Sequence, residues 1–216
     1  MPMSIGFSEQ ADISVDRTPA QAQLLQRLQP VLERAAALAD RPRLLIAVDG
    51  PCGSGKTTLA ALLCQALACP CVHMDDFHVP HARKTAQRLA QPGGNSDRER
   101  LMTEVLLPWR EDGTAVYRPY DCQQDALAEA VALPLIRHLV LEGSYSHHPE
   151  LAALTDVQVF IRVSREEQLR RLSQRCGARL QQFVDRWIPL EDRYFAAFSL
   201  PRREALVIEN HSVQGV

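Results

Sequence analysis

Residues Leu44 to Leu62 read LLIAVDGPCGSGKTTLAAL. The apolar run Leu44-Leu45-Ile46-Ala47-Val48 has the composition of a buried parallel strand, and the Ala/Leu-rich run after Lys56 that of a helix. Between them Gly50-Pro51-Cys52-Gly53-Ser54-Gly55-Lys56-Thr57 completes G-x-x-x-x-G-K-[ST], a phosphate-binding P-loop in the strand-to-helix setting it requires. Gly50, Gly53 and Gly55 let the backbone turn successive N–H groups inward around an oxyanion. The following helix aims its positive N-terminal end at the same anion. Lys56 is placed to reach the β- and γ-phosphates, and the Thr57 hydroxyl to ligate Mg²⁺; the nucleotide-contacting run extends through Thr58. Lysine occurs only at positions 56 and 84 in a chain whose other 22 basic residues are arginine, so Lys56 stands apart from the background.

The rest of the composition narrows the function classes. A chain of 216 residues fits one large α/β domain. A net charge of −2 argues against a general nucleic-acid or membrane-surface binder. No stretch approaches a membrane span, and the opening MPMSIGFSEQADIS lacks the pattern of a signal peptide, so a cytoplasmic location is expected. The six cysteines show no C-x-x-C pairing; Cys69-Pro70-Cys71 has no matching second pair, which favours reduced thiols over a metal site.

Outward from the P-loop, residues 1–17 are polar and aperiodic and read as an arm; residues 18–216 read as a single domain with an N-terminal helical segment over 18–40. Thr18-Pro19 signals a helix start, with Leu24, Leu25, Leu28, Val31, Leu32, Ala35 and Leu38 at helical spacing and Pro30 expected to kink or split it. Cys71-Val72-His73-Met74 predicts a short strand ending in Asp75-Asp76-Phe77-His78. Ser96-Asp97-Arg98-Glu99 reads as a capping box opening a helix that Pro108 stops. Val116 to Asp121 reads as extended, and His138-Leu139-Val140-Leu141-Glu142 and Val157–Val163 as buried strands. Ser164-Arg165-Glu166-Glu167 opens a further helix that ends near Gly177, residues 179–198 read as helical with Pro189 as a break, and Ala205–Glu209 is the last strand. Strands alternating with helices imply a parallel sheet with right-handed crossovers.

Phosphoryl transfer rests on positioning and charge stabilisation, so a metal carboxylate, a base and extra cations are sought beyond the P-loop. Glu142 ends an apolar strand and precedes Gly143, the place of a Walker B acid. Asp75 and Asp76 lie past a strand end, where open α/β sheets bind ligands; adjacent side chains diverge, so one of the two is the base. Arg165, Arg170, Arg171 and Arg175 on one helix form a lid over about 162–179 or a solvated face paired with Glu166 and Glu167. Tyr117, Arg118, Tyr120 and Asp121 suit an acceptor pocket or ordinary loop packing. His147-His148 reads as a surface turn.

Together these residues resemble the uridine kinase-like branch of the P-loop kinases, over most of residues 43–210. Family features are a P-loop, a strand ending in D-S-F-Y, a Y-D segment, a strand ending in E-G, and an arginine-bearing lid helix. Here they stand as Asp75-Asp76-Phe77-His78, Tyr120-Asp121, Glu142-Gly143 and the run from Arg162 to Arg179. The resemblance implies a three-layer α/β P-loop NTPase fold with a central parallel sheet, nucleoside/nucleotide-kinase-like. It makes Asp75 the base toward a hydroxyl, Glu142 a metal-shell acid, and Arg171 and Arg175 lid contacts. It implies ATP, or GTP, with Mg²⁺ as cofactors. Asp76, Phe77, His78 and Asp97 join Tyr117, Arg118, Tyr120 and Asp121 on the acceptor side, and a homodimer is compatible. A pyrimidine nucleoside is the first expected acceptor, with a sugar phosphate, a pantothenate-like acceptor or a regulatory nucleotide switch as alternatives. Three positions depart from the uridine kinase pattern: Asp125 replaces a histidine near the pyrimidine, Cys122 an aromatic residue, and His78 the tyrosine of D-S-F-Y.

Overall fold

A computed structural model describes residues 19–210, with side chains from residue 26; the expectations for residues 1–17 and Thr18 lie outside that range. Among the described residues nine strands run in chain order: β1 (Leu44–Asp49), β2 (Cys71–His73), β3 (Ala115–Tyr117), β4 (Tyr120–Asp121), β5 (Ala126–Leu127), β6 (Val131–Leu133), β7 (His138–Glu142), β8 (Val157–Arg162) and β9 (Leu206–Glu209). Five of them form one parallel sheet in the order β2-β7-β1-β8-β9, with the P-loop strand at its centre. All six residues of β1 are buried, as expected for a parallel strand covered on both faces.

Alternate side chains divide β1 between two cores. Leu44, Ile46 and Val48 pack with Leu28 and Val31 of α1 (Pro19–Ala36) and with Leu59 and Leu63 of α2 (Lys56–Leu67). Leu45 turns to the other face, with Leu139, Leu141, Trp109 and Tyr194. The result is the expected three-layer α/β arrangement. Helix α1 spans Pro30 as one helix rather than two; its buried stripe is Leu28, Val31 and Ala35, and Pro30 faces outward.

The helix after Asn95 differs from expectation at both ends. Its cap is Asp97, whose carboxylate accepts from the Arg100 N–H, and not Ser96. Nor does Pro108 stop it: Arg98–Arg100 leads through a π-helical stretch, Leu101–Leu106, into Leu107–Asp112, ending at Gly113 with φ +81°. We label this composite 98–112 helix α3. Pro189 repeats the pattern, following the π-helical Phe183–Trp187 at the start of Ile188–Ala197. In both, the proline sits in the first turn after a wider repeat has already interrupted the i→i−4 ladder, so its missing N–H breaks nothing further. Helix α4 is Arg165–Cys176, capped by Ser164 and ended at Gly177, and α5 is Ile188–Ala197.

Residues 115–133 fold back as an antiparallel excursion, β3 pairing β6 and β4 pairing β5, with Pro119 between β3 and β4. The extended reading of 116–121 holds, but these strands lie outside the main sheet. Leu59 is completely buried beneath the sheet. Leu59→Ala is therefore expected to lower unfolding free energy by about 2–5 kcal/mol in urea titrations; a loss below about 1 kcal/mol would contradict this packing.

Candidate active site

At the carboxyl edge of the sheet the P-loop glycines take the positive φ values their positions demand, +144° at Gly50, +75° at Gly53 and +96° at Gly55. A Cβ on Gly50 would lie 2.4 Å from the Ile161 carbonyl oxygen, so the close approach of the loop to β8 admits only glycine. Side chains hold the loop's backbone from outside. Arg171 Nη1 and Asn210 Nδ2 donate to the Ser54 carbonyl at 3.1 and 2.7 Å, and Gln168 Nε2 donates to the Cys52 carbonyl at 2.9 Å. The Cys52 N–H donates to Glu191 Oε2 at 2.9 Å. Lys56, 8% exposed, donates to the Gly50 and Pro51 carbonyls at 2.7 and 3.0 Å.

The loop opens on a cavity of about 370 Å³. Cys52, Gly53, Gly55, Lys56, Thr57 and Thr58 form its floor, while Gly50, Pro51 and Ser54 carry the loop behind it. Glu142 reaches it from the end of β7. The parallel register that sets Val48 beside Glu142 brings the carboxylate to the start of α2, where Thr57 Oγ1 donates to Oε1 at 3.0 Å. His73 Nδ1 lies 2.7 Å from Oε2. Burial pushes the Glu142 carboxyl up, but His73, Lys56 and Thr57 together outweigh it and hold it below the ordinary carboxylate range; the Glu142 contact in turn raises His73. A hydroxyl and a carboxylate oxygen side by side are hard donors that suit Mg²⁺, which takes few protein ligands and completes its shell with phosphate and water. Among the described residues no cluster of three His, Cys, Asp or Glu side chains competes for a metal.

Asp75 and Asp76 diverge as adjacent residues must. Asp75 lines the cavity with its side chain 90% exposed, its Oδ1 3.8 Å from His78 Nε2. Asp76 is turned away, accepting from the Tyr117 hydroxyl at 3.3 Å, and burial raises its carboxyl.

Of the acceptor-side expectations, His78 lines the cavity and the others do not. Phe77 is buried and stacked on Tyr117 at 5.3 Å. Asp97 is buried as the α3 cap and ion-paired with Arg83. Arg118 clamps the Leu127 and Ala128 carbonyls, the Tyr120 hydroxyl contacts Asp125, and Asp121 caps the backbone of Gln123 and Gln124. On α4, Arg175 lines the cavity beneath the Phe183 ring, at 5.8 Å from its centroid, whereas Arg171 is tied to the P-loop backbone, Glu167 and Asn210. Arg170 pairs with Glu167 and Arg165 with Asp192.

The walls also contain Asn95 and, without having been singled out in the sequence, Ser144, Tyr145, Phe183, Trp187 and Glu191. Tyr145 holds φ +82°, an uncommon state for an aromatic residue, in the stretch after the strand-ending Glu142-Gly143. His147 and His148 are buried, 1% and 6% exposed, and not a surface turn. The His147 ring lies 3.1 Å from the Ala47 carbonyl, and His148 Nδ1 caps the short helix Pro149–Ala152 while its ring packs edge-on against Phe198.

No family model and no curated protein matches the chain. Solved structures do. One described as a possible uridine kinase from Bacillus stearothermophilus superposes with a TM-score of 0.66 at 23% identity, covering 86% of this chain and 99% of that one. The chain has the fold of the uridine kinase-like P-loop kinases. A candidate fructose transport system kinase from Silicibacter sp. TM1040 is 27% identical, with a TM-score of 0.62 over 88% of this chain and 98% of that one. D-glycerate 3-kinase from Cryptococcus neoformans, 16% identical, gives a TM-score of 0.60 over 89% and 98%. In this P-loop kinase fold the strand ends that meet the cavity are those of β1, β2 and β7. Among the described residues, no helix is long and apolar enough to cross a membrane.

Burial, with the Arg98 charge adding to it, lowers His148 from 6.5 to about 4. A base whose folded value lies below its unfolded value binds fewer protons when folded, so stability rises with pH between about 4 and 6.5 and is lost on acidification through that window. His148→Asn, which keeps a capping side chain, is expected to remove up to one proton from the slope, about 1.4 kcal/mol per pH unit, in denaturant titrations at pH 4–7. An unchanged slope would show that His148 titrates alike in both states.

Proposed function

We propose that this chain is a kinase that transfers the γ-phosphoryl group of ATP, as its Mg²⁺ complex, to a hydroxyl of a small molecule. The observation that carries this reading is the convergence on one cavity of a P-loop, the Thr57–Glu142 pair 3.0 Å apart, and a separate exposed carboxylate, Asp75, past the end of β2. The solved neighbours described as a possible uridine kinase and as D-glycerate 3-kinase support it as bearers of the same scaffold.

On this reading the P-loop N–H groups and Lys56 bind the terminal phosphates. Thr57 and Glu142 would hold Mg²⁺, which would supply positive charge to offset that of the phosphates. Asp75 accepts the proton of the acceptor hydroxyl as its oxygen bonds to the γ-phosphorus and the bond to the ADP oxygen breaks. Asp76 is left to hold Tyr117. Arg175 spreads the charge of the transferring group, and Arg171 keeps the P-loop in shape.

Lys56→Ala is expected to abolish transfer, and a near-normal kcat/KM in that variant would overturn the P-loop assignment. Asp75→Asn should cut kcat by about 10²–10⁴ with little change in nucleotide affinity; the same loss from Asp76→Asn instead would exchange the two roles. Arg175→Ala should depress kcat more than it weakens ATP binding, measured by steady-state kinetics beside calorimetry, and an unchanged kcat would return that side chain to solvent.

A further inference from the structure

Resting on the kinase reading, we infer that the acceptor is a compact, uncharged polyhydroxylated molecule, a monosaccharide or polyol, held by Asn95, Tyr145, Glu191 and the Trp187 ring. Four observations converge on this class.

The first concerns the residues expected on the acceptor side. The polar groups of Tyr117, Arg118, Tyr120 and Asp121 are engaged within the 115–133 excursion or with Asp76, and none lines the cavity. Recognition therefore falls to the other wall.

That wall is built and fixed. Asn95, Tyr145 and Glu191 are 7%, 5% and 5% exposed, yet all line the cavity. The Ser144 hydroxyl donates to Glu191 Oε1 at 2.5 Å and the Cys52 N–H to Oε2 at 2.9 Å, which locks the carboxylate. The Cys52 thiol also contacts the carboxylate, which still keeps a lone pair for a substrate O–H. An amide, a phenol and a locked carboxylate together offer both donors and acceptors, as vicinal hydroxyls require. Tyr145, at φ +82°, is held in this wall by its ring packing edge-on against Tyr194 at 4.9 Å.

Trp187 and Phe183, four and eight residues before Glu191 on the same helical run, add aromatic lining suited to the C–H side of a sugar.

Charge excludes the acidic alternatives. Among the described residues of the lining, Lys56 and Arg175 are the lysine and arginine, and a triphosphate claims both. An acidic acceptor would meet Glu191 and Asp75 without a cation of its own, a like-charge juxtaposition that disfavours it. The same cavity must also admit the terminal phosphates.

The test measures ADP release from Mg-ATP, with product mass, using fructose, ribose, glycerol and xylitol beside uridine, cytidine, gluconate, pantothenate and fructose 6-phosphate. At least one neutral polyol is expected to exceed every nucleoside and acid in kcat/KM by about 10² or more. Best acceleration by a nucleoside or an acid overturns the inference. So does Mg-ATP binding, seen by calorimetry, with acceleration by no neutral polyol. Absence of Mg-ATP binding strikes instead at the kinase reading. With the best acceptor, Asn95→Ala should raise acceptor KM about tenfold while KM for ATP stays within about twofold. Glu191→Gln should narrow the preference for the neutral acceptor over its acid counterpart by about tenfold, and an unchanged ratio in a variant that melts like wild type removes Glu191 from acceptor recognition.

Discussion

A buried carboxylate at the end of β7 ties the candidate site together. Glu142 is 6% exposed, and so desolvated a charge persists only if paired and hydrogen-bonded. Thr57 at the start of α2 and His73 at the end of β2 supply those partners, at 3.0 and 2.7 Å. One side chain thus joins three elements far apart in sequence: the P-loop helix, the strand leading to Asp75, and its own strand. The sheet order makes this possible, because β7 lies between β2 and β1. Moving β7 from between β2 and β1 would separate the P-loop from the carboxylate or the carboxylate from Asp75.

On the far side of the P-loop a second pair of carboxylates sets the loop's position. Asp49, wholly buried at the end of β1, accepts from the Gly50 and His147 N–H groups and from the Tyr194 hydroxyl. Glu191, one turn earlier on α5 than the Tyr194 ring, accepts from the Cys52 N–H and Ser144. Both are satisfied by several donors, as buried carboxylates must be. They link the P-loop to α5 and to the loop after Glu142, so the acceptor wall and the phosphate cradle share one frame.

What could be read from sequence follows from the range of the interactions involved. The P-loop, β1 and the strand ending in Glu142 are local patterns, in which glycine placement, apolar runs and a terminal acid carry their meaning without the rest of the chain. The divergence of Asp75 and Asp76 is likewise dictated by adjacency. Glu191 was not legible, because its partners Cys52 and Ser144 are far away in sequence and its own neighbours, Leu190 and Asp192, give an ordinary helical context. His147-His148 reads as polar, yet it is buried because the chain folds back over β1 there. Pro108 and Pro189 read as breaks because the π-helical turns before them have no recognisable sequence signature. Of the residues expected on the acceptor side, Arg118, Tyr120 and Asp121 spend their side-chain polar groups within the 115–133 excursion and Tyr117 bonds Asp76, pairings that no local pattern announces.

The Thr57–Glu142 pair is the point on which this account rests, and Mg²⁺ dependence of ATP binding probes it most directly. Calorimetry with and without Mg²⁺ should show ATP binding strengthened by the cation in the wild type, and that gain reduced by about 10–100-fold in Glu142→Gln while metal-free ATP binding is little changed. Equal Mg²⁺ enhancement in the two proteins would contradict the assignment of this edge of the sheet as the metal and phosphate site.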